Sequence, residues 1–204
     1  MVGRILLTLG LAASITTAAE GQALGMPVVN NGAPTGLTIG ADVGFPNSDY
    51  GSGTAVAGRA AIGLGFFGVS GQLSHYSPKD ADGVWSPAVA ASLRLLGGPL
   101  VPFRIMLQGG VGSWSFGNEH FTHVPLSIGF AATIPNPAFA IKPWIAPRLD
   151  MLHSDVTGTN TEFGFSGGID LSLINGITIR AAYDHVSNDG LHPSIVSLGL
   201  GFAP

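Results

Sequence analysis

The residues best suited to chemistry lie near the C-terminal end, in Tyr183-Asp184-His185-Val186-Ser187-Asn188-Asp189-Gly190. An imidazole, a hydroxyl and a carboxamide crowd together there. His185 and Ser187 have the same parity, so on a strand they project from one face. Other candidate chemistry is thinner. Gly63, Gly65 and Gly68 spell G-x-G-x-x-G, but a dinucleotide site needs a helix after the glycines to hold the pyrophosphate. The residues that follow, Val69 to Tyr76, alternate as a strand does. Six histidines (75, 120, 123, 153, 185 and 192) and the acids Asp49, Asp80, Asp82, Glu119, Asp155 and Asp189 fall in or near the expected outer loops. No pair has a diagnostic metal spacing, so they read as a solvated acidic rim. No cofactor is implied. Cys is absent, which removes disulfides, Cys-type zinc sites and thiol nucleophiles.

The frame that must position these residues follows from composition. Only 10% of the 204 residues are charged, while 46% are hydrophobic and 31 are Gly. Soluble domains carry roughly 25% charge. A net charge of -4 leaves no basic surface for nucleic acid. Arg4 followed by the apolar stretch 5–15 and small residues reads as a secretory signal, with cleavage after Ala19 or Ala23. That stretch is too short for a helix across ~30 Å of hydrocarbon.

Beyond it, alternation recurs in ten segments, near 35–45, 55–66, 68–77, 87–96, 103–113, 124–134, 143–152, 162–173, 177–186 and 194–202. Each is close to the ~9–11 residues of a tilted membrane strand. Ten charges, Asp42, Arg59, Arg94, Arg104, Arg148, Asp150, Glu162, Asp170, Arg180 and Asp184, all fall on the face opposite the apolar residues. Chance would do this about once in a thousand. A lipid-facing Arg or Lys at mid-membrane costs about 2–4 kcal/mol, so a barrel turns such groups inward.

The chain is therefore expected to be all-β: an antiparallel up-and-down transmembrane β-barrel of about ten strands, with eight as the alternative if 68–77 is not a strand. Residues 1–23 form the cleaved signal, 24–34 a short periplasmic lead-in and 35–204 the barrel. Connections alternate long and short, which places the protein in the outer membrane with both termini periplasmic. The expected partners are outer-membrane lipid, including lipopolysaccharide. The C-terminus resembles the assembly signal of outer-membrane barrels through Ser197, Gly199 and Phe202, with Pro204 in place of the final aromatic. That resemblance implies recognition of the last strand by the barrel-assembly machinery.

The motif at 183–190 resembles the His-x-Ser-Asn-x-Gly signature of the lipid A 3-O-deacylases, which are small outer-membrane barrels. It closes the penultimate strand at its outer end, as in that family. His185 and Ser187 share the parity of Ile177, Ile179 and Tyr183, so they face lipid, which suits a lipid substrate. The resemblance implies Ser187 as nucleophile, His185 as general base, and Asn188 with the backbone N–H groups near Gly190 as oxyanion donors. The family's orienting Glu early on the last strand has no counterpart, since 194–204 contains no acid. Two readings follow: a non-enzymatic envelope barrel with a closed lumen, or a serine esterase acting on outer-leaflet lipid.

Overall fold

A computed structural model describes residues 22–31, 36–79, 81–97, 101–187 and 190–204. Ten barrel strands lie among them: β1 Gly36–Pro46, β2 Thr54–Leu64, β3 Phe67–Ser77, β4 Val84–Leu96, β5 Phe103–Phe116, β6 Glu119–Ala132, β7 Phe139–Ser154, β8 Gly158–Leu173, β9 Ile177–Ser187 and β10 Ser194–Phe202. Each pairs antiparallel with its sequence neighbours, and β1 pairs with β10 to close the ring. No strand edge is left in the membrane, where an unpaired N–H or C=O would cost several kcal/mol. The segment 68–77 is a full strand, which settles ten over eight.

Alternation sets the faces. On β8, Phe163 and Ile169 are exposed outward while Ser166 and Asp170 are buried inward. Phe45, Phe163 and Tyr183 lie exposed near one rim, and Phe66, Phe103 and Phe202 near the other, the positions of two aromatic girdles. Gly65 explains the apparent dinucleotide motif. With φ +71° it opens the two-residue turn between β2 and β3, where primed hairpin turns need a positive φ.

Two expected outer loops are instead strand. The regions 114–123 and 153–161 extend β5, β6, β7 and β8 into hairpins with short turns at 117–118 and 155–157. Gly117 (φ +59°) and Gly158 (φ +81°) allow the tight reversals. The asymmetry between the barrel's two ends thus lies as much in strand length as in loop length. His123, expected in or near an outer loop, sits on β6 and is buried in the lumen against Asp150, 2.9 Å away.

The larger departure concerns the N-terminal segment. Residues 24–34 were expected as a periplasmic lead-in, yet residues 22–31 run inside the barrel. They descend from the long-hairpin end, beside Gly112 and Ala55, to Asp170 in the opposite half. The N-terminal end of the described segment is therefore in the lumen, whereas β10 ends at the short-turn rim beside Ile39 and Ile177.

The barrel wall is shaped for this strap. Ala23, Leu24 and Met26 pack into a buried cluster with Ala55, Ala57, Tyr76, Val84 and Ala88. Small inward side chains on β2 and β4 make the room. The strap's backbone is hydrogen-bonded by the wall. Leu24 N–H donates to Ser86 Oγ (3.0 Å), Ser74 Oγ donates to Leu24 O (2.9 Å), and the Ser166 hydroxyl donates to Val28 O. Tyr50, in the helical turn Ser48–Tyr50, accepts the Gly25 N–H at 3.3 Å. Burial there pushes its phenol above the ordinary tyrosine range.

Close approach of two backbones requires glycine on the wall. A Cβ on Gly44 would lie 2.2 Å from Gly25 O, and one on Gly129 2.2 Å from Asn30 O. Gly44→Val and Gly129→Val should each destabilise the barrel by roughly 1–3 kcal/mol or more, as overpacking does. Gly58, whose Cβ would meet nothing within 4 Å, is the control. The midpoint of heat-modifiable gel mobility should fall for the first two and stay unchanged for Gly58→Val.

Candidate functional site

His185 and Ser187 sit at the upper end of β9, facing out of the barrel. Register sets His185 opposite Ser194 on β10 and Phe165 on β8, and Ser187 opposite Phe163. Two residues along one strand are about 6.6 Å apart. Direct contact between the two side chains would thus need both to lean together, and the structure holds no hydrogen bond between them. The imidazole instead lies between rings, Phe165 at 5.5 Å and His192 at 5.9 Å between centroids. Among the described residues no carboxylate is hydrogen-bonded to His185. Asp184 points the other way and is 1% exposed. Asn188 and Asp189 lie outside the described residues. Gly190 is exposed with φ +85°, a turn conformation. An imidazole without an acid on its second nitrogen is not held in the tautomer that a serine nucleophile needs.

The lumen is organised more tightly. Asp42, Arg148, Asp150, Asp170, Arg180 and Asp184 are buried in the lumen, Arg59 and Arg104 line a cavity there, and register sets Glu162 on the face of Asp150 and Arg94 on that of buried Met106. Arg148, buried completely, donates Nη1 and Nη2 to Asp184 (2.7 and 2.8 Å) and Nε to Asp150 (2.7 Å). Asp150 also meets His123. Asp184 further accepts the Val28 N–H at 3.1 Å and Gln22 Nε2 at 3.4 Å. One carboxylate thus ties β7, β9 and the strap together. Nearer the short-turn end, Arg180 pairs with Asp170 at 2.8 Å, and Arg59 with Asp42 at 2.6 Å. Asn31 donates to Asp170, extending the strap's anchorage downward.

The expected pairing of all ten charges in salt-bridged layers is only partly realised. Arg94 donates to the carbonyl of Gly65, and the Nε of Arg104 is buried without a partner. Lys142 is an inward cation that sequence reasoning missed. It shares the parity of Arg148 and Asp150, and starting the strand a few residues earlier would have found it. His123 was missed likewise; its parity matches Ser127, an inward residue of the same strand.

No family model matches the chain, and no curated protein matches it. Solved structures do. The β domain of the Bordetella autotransporter BrkA is 13% identical, with 84% of this chain and 100% of that chain covered at TM-score 0.60. The KdgM porin in complex with disordered oligogalacturonate is 12% identical, with 82% and 99% covered at TM-score 0.51. The outer membrane enzyme PagL is 16% identical, with 82% and 99% covered at TM-score 0.43. At such identities likeness is one of fold, and the chain has the fold of the outer-membrane β-barrels.

Proposed function

We propose that the protein is a non-enzymatic outer-membrane barrel with a closed lumen and a structural or surface role in the cell envelope. The observation that carries this reading is the strap 22–31, which together with the Arg148 ion network fills the lumen's long-hairpin half. A conducting pore of comparable strand number would have to leave that path to water. In this reading the apolar outer band meets outer-membrane lipid, including lipopolysaccharide, and the long hairpins face outward. Ser197, Gly199 and Phe202 on β10 present the last strand to the barrel-assembly machinery. The aromatic surroundings of His185, between Phe165 and His192, favour this over a lipid A esterase.

In planar bilayers the purified protein should give no large steady conductance, and deleting 22–31 should produce one. A stable wide channel in the wild type contradicts the closed lumen. In a lipid A-producing host, wild type and Ser187→Ala should yield the same lipid A mass spectrum. Loss of an acyl chain with wild type alone would instead assign Ser187 and His185 the esterase role.

A further inference from the structure

Below the strap, the short-turn half of the lumen holds a cavity of about 160 Å³. Pro27, Val28, Val29 and Asn31 of the strap line it, and the strap's residues 23–26 pack between it and the long-hairpin end. Thr178 and Gly201, each next to the end of its strand, line it on the side of the short-turn rim.

Its charge is one-sided. Arg59, Arg104, Lys142 and Arg180 line it, against Asp170 as the one acid among the described lining residues. Asp42, just outside the lining, neutralises Arg59, and Asp170 neutralises Arg180. Arg104 and Lys142 remain, and neither forms an ion pair among the described residues. An uncompensated pair of cations in a walled cavity is unfavourable unless an anion joins them. The polar atoms agree. Three residues that line this cavity each carry a buried side-chain atom without a partner: Arg104 Nε, Gln108 Nε2 and Thr38 Oγ1. Gln108 is 94% buried, and its free amide N–H can only donate. Buried groups of this kind are rarely left unsatisfied without a reason.

We propose that this cavity is a binding site for a small phosphate-type oxyanion. Arg104 and Lys142 supply the two charges, and Gln108 and Thr38 complete the hydrogen bonds. A phosphate group carries close to two negative charges near neutral pH, matching the two uncompensated cations. Its oxygens accept from several directions, which suits donors arriving from β1, β5 and β7. A carboxylate brings one charge and two oxygens, and matches less well. The site rests on the strap as its roof, and does not depend on whether the outer surface is catalytic.

The test is calorimetric titration of the full mature chain in detergent with inorganic phosphate, at low ionic strength and mildly alkaline pH. One saturable site is expected, weakened about tenfold or more in Arg104→Gln and in Lys142→Gln, each losing a charge-assisted donor. Acetate should bind at least about tenfold more weakly. Both variants should keep the gel mobility of a folded barrel. As a measurement free of variants, phosphate should raise the wild-type unfolding temperature where chloride of equal ionic strength does not. Absence of saturable phosphate binding, equal binding by both variants, or acetate binding as tight as phosphate would overturn the proposal.

Discussion

Asp184 is the point on which the interior depends. It is almost wholly buried, and it accepts two hydrogen bonds from Arg148 and one from the backbone of Val28. The constraint behind it is the membrane. A barrel cannot turn charge toward hydrocarbon, so its charges go inward, and a charge sent inward must be paired. Removing one partner of such a buried pair costs about 3–5 kcal/mol, because the other charge is then stranded. The same carboxylate that answers Arg148 also holds the strap. Closure of the lumen and neutralisation of its charge are therefore one arrangement.

The strap follows from the same economy of space. Small residues on the inner faces of β2 and β4, with Gly44 and Gly129, leave the lumen too wide for the wall alone to fill. A well-packed interior has few voids larger than a water molecule. The chain fills the upper half with its own residues 22–31. In the lower half the wall turns polar and cationic, and packing gives way to a cavity. The two halves thus differ in kind: one is filled, with its charges paired, and the other is cationic and hollow.

Most of the frame was legible in the residues. Strict alternation fixed the faces, and the inward parity of charges from Asp42 to Asp184 identified the class. Both are local properties of a strand. The strap was not legible, because 22–31 shows neither helical nor strand periodicity. Its placement is set by partners more than forty residues away, such as Ser74, Ser86 and Asp184. A faint signal existed in Ala55, Ala57, Ala88 and Ala90, small apolar residues where a water-filled lumen would carry polar ones. Strand ends were misjudged where turns are short, hiding Lys142 and His123. The motif at His185 and Ser187 lies at the long-hairpin end of β9. What letters could not reveal is that its imidazole meets aromatic rings.

The most direct test of the occupied lumen is amide hydrogen exchange at Leu24 and Val28 in the folded protein. Their N–H groups donate to Ser86 and Asp184 inside the barrel. Both amides should exchange orders of magnitude more slowly than in a free peptide, in step with the strand amides around them. Exchange of both at the free-peptide rate, while the strands stay protected, would contradict a strap held in the lumen.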